Sequence, residues 1–209
     1  MIENNQRRIK LLEEAARRLY REWFVALRFP GHERVKVVDG VPQGWGRVTL
    51  EDLATLNYGK ALKESERTPG QVPVYGSSGI VGSHMSALVN GRAIIVGRKG
   101  NVGSVFLSHV PFFPIDTVYY VTPEQTSCYL FGLLRSMHFI SSDSAVPGLN
   151  RGYAYSLLAL RPPATVLEQY ERSVKPVFTQ ISVLERSSAT AKQARDALLP
   201  RLMSGTLAV

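Results

Sequence analysis

Residues 2–27 read IENNQRRIKLLEEAARRLYREWFVAL, and this stretch determines how the chain is organised. Apolar or small residues recur at the alternating three- and four-residue spacing of a heptad, which places them on one narrow stripe of a helix. All positions in the two heptad rows except Asn5 are apolar or small, which makes seven of eight. The rows consist of Ile2, Asn5, Ile9, Leu12, Ala16, Leu19, Trp23 and Ala26. The stretch therefore predicts one long helix of the coiled-coil type, ended by Phe29, Pro30 and Gly31.

The same pattern returns near the other end of the chain, beginning with VKPVFTQISVLERSSATAKQARDALL at residues 174–199. Seven of the nine positions in its two rows are apolar or small, the exceptions being Ser188 and Arg195. The rows consist of Val174, Val177, Ile181, Leu184, Ser188, Ala191, Arg195, Leu198 and Leu202. Ser188 and Arg195 interrupt the stripe, and polar residues at such positions often fix register and partner choice. This region predicts a second long helix.

Prolines and a capping sequence predict where the second helix begins and ends. Pro176 suits the first turn of a helix, so the long helix is expected to start there. The sequence TVLE at residues 165–168 has the form of a capping box and predicts a shorter helix before it. Pro200 and Gly205 mark the end of the long helix.

The two long helices are predicted to lie side by side. Each covers about 25 residues, or roughly 37 Å at 1.5 Å per residue. Narrow apolar stripes opposite charged faces favour a coiled coil over the alternative, in which each helix packs on the chain's own core. Helix pairing and partner docking are assigned to eight residues: Ile9, Leu12, Leu19, Trp23, Val177, Ile181, Leu184 and Leu198.

Composition excludes several classes of protein. A hydrophobic content of 44% and a charged content of 20% over 209 residues are typical of a globular chain. No apolar run approaches the ~20 residues of a membrane span, and the charged first residues lack the apolar core of a signal peptide. The single Cys128 excludes an internal disulfide and a multi-cysteine metal site. We expect a cytoplasmic protein without a membrane partner.

The net charge of +8 indicates a polyanionic partner. Residues 1–28 and residues 174–209 each carry a surplus of three positive charges, so most of the excess lies at the two ends. Between Glu66 and Asp116 there is no acidic residue, although four basic residues and two histidines occur: Arg67, His84, Arg92, Arg98, Lys99 and His109. This stretch is either a DNA-facing surface or simply a solvated basic face, and its glycine- and serine-rich loops favour the first.

The middle of the chain, at about residues 34–163, has the pattern of an α+β domain. Short runs rich in β-branched and aromatic residues predict strands at residues 35–38, 93–96, 102–107, 117–121 and 153–160. Two helices are predicted, at residues 49–56 after a capping sequence and at residues 128–139. The predicted organisation is an N-terminal helix at 1–28, a globular domain at 29–173 and a C-terminal helix at 174–209.

Three glycine-rich segments are candidates for nucleic-acid binding. GRKGNVG at residues 97–103 lies between two predicted strands, a hairpin rather than the strand-to-helix turn of a dinucleotide site. Its glycines either merely serve tight turns or help to present Arg98, Lys99 and Asn101 to bases and phosphates. VYGSSGIVG at residues 74–82 and VPGLNRGY at residues 146–153 are a second and a third loop.

Eleven residues are the predicted DNA contacts: Lys60, Ser77, Ser78, His84, Arg92, Arg98, Lys99, Asn101, Asn150, Arg151 and Tyr153. A plain surface loop is an equally good interpretation of residues 74–82, and Tyr153 could instead belong to the core. No catalytic residues and no metal ligands are assigned, because Walker A, H-E-x-x-H, G-x-S-x-G and adenine-methyltransferase motifs are absent. A nucleotide-using enzyme centred on residues 97–103 is disfavoured by the hairpin context and by the lack of nearby general bases.

Several segments occur together in the order of a known family. They are ENN, LLEE and WF at 3–5, 11–14 and 23–24, VPQGW and LEDL at 41–45 and 50–53, YGSSGIVG at 75–82, VGRKGNVG at 96–103, PGLN at 147–150, LRPP at 160–163, EQ at 168–169 and RDALLPRLMSG at 195–205. Each segment alone is weak, but their joint order covers nearly the whole chain. With them the chain resembles the specificity subunit of type I restriction–modification enzymes.

The resemblance implies a non-catalytic, DNA-recognising subunit. In that family two target-recognition domains each bind one half of a split DNA site, and paired helices set the gap and dock methyltransferase subunits. S-adenosylmethionine and ATP are then expected only on partner subunits, with the restriction subunit joining through the complex. A full specificity subunit is about twice this length, so the chain is expected to be a half-subunit that forms a homodimer or the second half of a longer subunit. The alternative function is a coiled-coil adaptor or decoy that binds a methyltransferase subunit without recognising DNA.

Overall fold

The computed structural model describes residues 1–140 and 148–204. The chain divides into two compact units, one formed by Met1–His32 with Glu168–Val209 and the other by Glu33–Leu167. The first unit is helical and the second is rich in β-structure. The predicted α+β class, with long helices at both ends of the chain, is confirmed.

The helical unit is an antiparallel pair of helices. Helix α1 (Ile2–Tyr20) continues into a π-helical turn (Arg21–Val25), and helix α4 spans Ala164–Met203. Asn5 near the start of α1 donates to the hydroxyl of Ser188 at 3.2 Å, whereas Tyr20 at its end packs against Tyr170 near the start of α4. The two predicted stripes therefore face each other within one chain.

Aromatic residues form the core at one end of this pair. Tyr170 lies 4.8 Å from Phe24 and 5.6 Å from Trp23 between ring centroids, both with edge-to-face geometry, the arrangement that aromatic pairs prefer. The heptad rows omit Tyr20 and Phe24, although both are buried. The buried side of α4 comprises Tyr170, Val174, Phe178, Ile181 and Leu184.

Some of the predicted pairing residues lie in this core and others do not. Trp23, Ile181 and Leu184 are buried, and four more are partly buried: Ile9, Leu12, Leu19 and Val177. Leu198 is 46% exposed and lies in a run of α4, residues 192–203, that is exposed throughout.

The predicted boundary at Pro176 is wrong, because α4 runs through both Pro176 and Pro200 without a break. Proline removes one helical N–H donor and disfavours a helix interior. Here the buried Val174 and Phe178 flank Pro176 and hold the helix on its partner, so packing outweighs the local cost. Helix α4 therefore has 40 residues instead of about 25, whereas α1 with its π-helical turn runs from residue 2 to residue 25, close to the predicted length. Gly205 lies outside the described residues.

The β-rich unit contains short strands and two short helices. The strands are β1 (Val37–Val38), β2 (Val41–Pro42), β3 (Gly46–Thr49), β4 (Asn57–Tyr58), β5 (Val72–Gly76), β6 (Gly79–His84), β7 (Ala93–Gly97), β8 (Val105–Ser108), β9 (Phe113–Pro114), β10 (Val118–Tyr120) and β11 (Leu158–Arg161). The short helices are α2 (Cys128–Ser136) and α3 (Arg151–Ser156).

Strand β7 is the centre of this unit. It lies inside an antiparallel sheet of order β4–β10–β7–β8, and its residues from Ala93 to Gly97 are all buried. The run AIIV has no polar alternation, which is the pattern of a strand covered on both faces. A second sheet has the order β6–β5–β9, and two smaller sheets pair β1 with β2 and β3 with β11. These strands confirm the predictions at 93–96 and 117–121, whereas the strand predicted at 102–107 begins only at Val105, after the turn.

Three local predictions are wrong. Only one turn follows Thr49: the Asp52 carboxylate accepts from the Thr49 N–H at 2.9 Å as in a capping box, but the Thr55 N–H donates to the Gln125 side chain at 3.2 Å and not to a carbonyl one turn back. The predicted strand at 153–160 is α3 followed by β11, since the Asn150 side chain caps α3 through the Tyr153 N–H at 3.0 Å. The predicted loop at 74–82 is the hairpin of β5 and β6.

Replacement of Tyr170 by alanine tests the aromatic core. Tyr170 is 1% exposed, so Tyr170→Ala should reduce the free energy of unfolding by about 3–5 kcal/mol. Leu198→Ala, on the exposed part of the same helix, is the matched control and should change it by less than about 0.5 kcal/mol. Urea unfolding followed by circular dichroism measures both, and equal effects would contradict the proposed core.

Desolvation of a glutamate, with a smaller effect of a neighbouring one, gives the helix pair a pH dependence. Desolvation and the neighbouring Glu13 raise the pKa of Glu185 above its ordinary 4.5. The folded state therefore binds this proton more readily, and ionisation costs stability as the pH rises through the raised pKa. Glu185→Gln should raise the melting temperature at pH 7, and the gain should vanish at pH 4. Glu13→Gln should raise the melting temperature at pH 7 less in the Glu185→Gln background than in the parent chain. Additive gains in melting temperature would show that the two carboxylates do not interact.

Candidate nucleic-acid interface

The hairpin between β7 and β8 presents Arg98, Lys99 and Asn101. Its backbone closes through the Gly97 N–H to the Ser104 carbonyl at 2.7 Å and the Gly103 N–H to the Gly97 carbonyl at 2.9 Å. A Cβ atom at Gly97 would lie 2.2 Å from the Asn101 carbonyl oxygen. Glycine is thus required for the turn, and the predicted hairpin is confirmed. The glycines of this hairpin form its tight turn, and the same turn carries the side chains of Arg98 and Lys99.

Two further segments are hydrogen-bonded to this hairpin. Leu149 donates its N–H to the Arg98 carbonyl at 2.7 Å, and Lys99 forms a β-bridge with Gly148. On the other side the Ser104 hydroxyl donates to the Ser77 carbonyl at 2.5 Å. Parts of the three glycine-rich segments therefore meet at one place, although Val146 and Pro147 of the third segment lie outside the described residues.

Arg98 is the most constrained cation of the group. Its Nη1 donates to the Asp116 carbonyl at 3.0 Å. Its guanidinium carbon lies 4.9 Å from the ring centroid of Tyr58 and 5.7 Å from that of Tyr119, within the range of cation–π attraction. Lys99 forms an ion pair with the Asp116 carboxylate at 3.3 Å. The pair is partly exposed, so it contributes little to stability and leaves the ammonium accessible.

Arg151 contacts the same tyrosine from the third segment. Its guanidinium carbon lies 4.8 Å from the Tyr58 centroid and 5.9 Å from that of Tyr155. Arg151 is exposed and begins α3, directly after the capping Asn150. Tyr58 is not among the residues predicted from the sequence, where its one signal is the short sequence NYGK that also contains Lys60.

Tyr119 contacts Arg98 through its ring and the segment before Arg151 through its hydroxyl. Burial, with a smaller contribution from Tyr58, raises the pKa of the Tyr119 hydroxyl above its ordinary 10.0. The hydroxyl therefore stays protonated at neutral pH and donates to the Leu149 carbonyl at 3.0 Å. This bond ties the sheet to the segment that carries Arg151.

Other predicted contacts lie beside the group or apart from it. Lys60 and Ser78 are exposed, with Lys60 two residues after Tyr58 and Ser78 in the turn between β5 and β6. Ser77 is buried, and its hydroxyl accepts from the Asn101 N–H at 3.4 Å, so its contacts are structural. Tyr153 is partly buried within α3.

His84 and Arg92 form contacts elsewhere in the β-rich unit. His84 accepts from the Thr68 N–H at 3.0 Å and packs edge-on against Phe113. Arg92 donates to the Cys128 sulfur at 3.1 Å. The acid-free stretch therefore does not form one continuous surface, because some of its basic residues support the fold.

The converging residues define what we call the arginine–tyrosine surface: Tyr58, Lys60, Ser78, Arg98, Lys99, Asn101, Asn150 and Arg151. Guanidinium groups can form bidentate hydrogen bonds with guanine edges or phosphates, and asparagine can form them with adenine. Lysine most often binds phosphate. Among the described residues no cluster of three potential metal ligands occurs. In the same residues no helix combines the length and apolar character that crossing a bilayer requires. The chemistry of this surface is that of anion and base-edge recognition.

Comparison with known proteins identifies relatives of the whole chain. A specificity subunit of the type I restriction enzyme MjaIX from Methanocaldococcus jannaschii is 23% identical over 241 residues, covering all of this chain and 56% of that protein. The crystal structure of a type I restriction–modification S subunit from M. genitalium aligns with a TM-score of 0.66 at 18% identity, over 96% of this chain and 56% of that one. The chain thus spans about half the length of both relatives.

A second solved structure, the HsdS subunit from Thermoanaerobacter tengcongensis, aligns at 15% identity with a TM-score of 0.48, over 98% of this chain and 54% of its own. The protein-family model for the type I restriction modification DNA specificity domain matches residues 42–152. The matched residues are more than half of the chain and include the whole arginine–tyrosine surface. The chain belongs to the family of type I restriction modification DNA specificity domains.

Proposed function

We propose that this chain is the DNA-recognition component of a type I restriction–modification complex and that its arginine–tyrosine surface binds one half of a bipartite target in double-stranded DNA. The observation that carries the proposal is the convergence of Arg98, Lys99 and Arg151 from two segments distant in sequence. In residues 1–140 and 148–204 the one carboxylate bonded to these three side chains is that of Asp116. Such a group of accessible cations needs an anionic partner.

The three cations have different roles in the proposal. Arg98 is held by a carbonyl and two aromatic rings, and such preorganisation suits a base contact, which depends on geometry. Lys99 and the exposed Arg151 suit phosphates, whose contacts set register and affinity but carry no sequence information. Asn101, exposed on the same hairpin, is the second candidate for a base contact.

The helical unit is assigned to assembly. Residues 192–203 of α4 are exposed, and Leu198, Leu199 and Leu202 are each at least 45% exposed there. A contiguous apolar patch on an exposed surface is a feature of protein-binding sites. We assign this segment to methyltransferase subunits or to a second copy of the chain, which would supply the other half-site. The chain itself has no catalytic role and binds no cofactor, and S-adenosylmethionine and ATP act on partner subunits.

Replacement of Arg98 tests the DNA contact. Arg98→Ala should weaken binding to a cognate duplex, selected from a randomised pool, by ~1–3 kcal/mol, with a smaller effect on random duplex, because a base contact contributes only to the cognate complex. Arg47→Ala is the matched control, since it removes one exposed positive charge from β3, in another sheet. Fluorescence anisotropy measures both affinities. Unchanged cognate binding by Arg98→Ala would refute this interface.

Paired replacements test the assembly surface. Leu198→Glu with Leu202→Glu should lower the mass of the purified chain, or of its complex with methyltransferase subunits, measured by light scattering. The circular dichroism melt should stay within about 2 °C, because both residues are exposed. Leu184→Glu is the contrasting variant, since it places a charge in the buried helix pair and should lower the melting temperature. An unchanged mass for the double variant would exclude this segment from assembly.

A further inference from the structure

Tyr58 makes an unusual set of contacts for an exposed residue. Its side chain is 46% exposed, yet the guanidinium carbons of Arg98 and Arg151 both lie within 5 Å of its ring centroid. The two positive charges are therefore at most about 10 Å apart, a distance comparable to the screening length of roughly 8 Å at physiological ionic strength. One aromatic ring thus holds two like charges close together.

This arrangement concentrates positive charge at one place. Like charges at such a separation repel each other weakly, and in the described residues neither Arg98 nor Arg151 forms an ion pair with a carboxylate. The ring offsets the repulsion, because a cation over an exposed aromatic face gains about 0.5–1 kcal/mol. The same contacts restrict two side chains that are otherwise among the most mobile in a protein.

The backbone around Tyr58 is itself fixed. Tyr58 lies opposite Tyr119 in the β4–β10 pairing, and their ring centroids are 5.0 Å apart. At the next residue, Gly59, a Cβ atom would lie 2.0 Å from the Ile115 carbonyl oxygen. Only glycine allows β4 to approach that closely, so the ring of Tyr58 is held at a defined place on the sheet. The sheet, rather than either arginine, sets the position of its backbone.

We propose that Tyr58 is a positioning residue that fixes Arg98 and Arg151 relative to each other, so that the two guanidiniums engage one DNA half-site as a unit. Arg98 takes the base edge and Arg151 the neighbouring phosphate backbone. Tyr58 acts through its aromatic face, and its hydroxyl is dispensable. The inference rests on the proposed DNA-binding function and names a specificity-determining residue within it.

The test compares Tyr58→Ala with Tyr58→Phe and Tyr58→Leu. Binding is measured by fluorescence anisotropy against the selected cognate duplex and a random duplex, from 50 to 300 mM salt. Tyr58→Phe keeps the ring and should bind both duplexes within about twofold of the parent, whereas Tyr58→Leu keeps only the bulk and should behave like alanine. Tyr58→Ala should lose roughly tenfold in cognate affinity and at most about twofold on random duplex, with a nearly unchanged salt slope because the replacement removes no positive charge.

A double-mutant cycle of Arg98→Ala and Arg151→Ala supplies the second readout. The two replacements should be non-additive for cognate binding in the parent and additive in the Tyr58→Ala background. A merely structural role of Tyr58 would instead appear as a lower melting temperature and as equal losses on both duplexes.

Three results would overturn the inference. They are unchanged cognate binding by Tyr58→Ala, an equal loss with Tyr58→Phe, and additive arginine replacements in the parent. If the parent chain prefers no duplex over any other, the proposed function fails and this inference with it. If the parent shows a preference that Tyr58→Ala retains, only the inference fails.

Discussion

The backbone of Arg98 is bonded on both sides, and the candidate interface depends on these bonds. Its N–H donates to the Thr117 carbonyl at 2.9 Å, and its carbonyl accepts from the Leu149 N–H at 2.7 Å. The first bond continues the central sheet and the second attaches the segment that leads into α3. Arg98 directly follows the buried strand β7, so the rigidity of the core extends to the functional side chain. A site built on a core strand keeps its geometry better than one on a free loop.

The charge pattern follows from the same construction. Buried β7 supplies no polar side chain, and the residues at its end carry the cations. Asp116, the first acidic residue after the long acid-free stretch, lies beside them. Its carbonyl accepts a hydrogen bond from Arg98, and its carboxylate forms an ion pair with Lys99. A partly exposed ion pair contributes at most about 1 kcal/mol. Lys99 can therefore exchange this carboxylate for a phosphate at little cost.

Residue patterns predict those parts of the fold whose stability is local. The narrow stripe of α1 and the unbroken apolar run of β7 are recognisable because periodicity reports directly on burial. The hairpin at residues 97–103 is recognisable because Gly97 and its neighbours have strong turn preferences. Arg98, Lys99 and Arg151 are predicted in this way, from charge next to glycine, and the structure brings the three together.

The remaining features depend on contacts between distant residues, which no local pattern reveals. The continuity of α4 through Pro176 is decided by packing against α1, and the role of Tyr58 by two arginines 40 and 93 residues further along the chain. Arg92 and His84 show the opposite case: their residue types suit DNA, and the fold places them in contacts with Cys128 and Thr68 that their residue types do not predict. A basic residue in a loop-rich stretch indicates a surface only when its neighbours in space are known.

The apolar stripe of α4 has a buried part and an exposed part. The apolar stripe of α4 is covered by α1 as far as Leu184, and at Ser188 it becomes polar and meets Asn5, which is buried in the pair. A buried amide in such a seam costs stability unless its hydrogen bonds form, so the Asn5 contact favours one register of the two helices over its neighbours. Beyond this contact the stripe resumes with Leu198 and Leu202, now exposed. The polar contact thus separates the part of α4 that is buried against α1 from the exposed part that we propose for assembly.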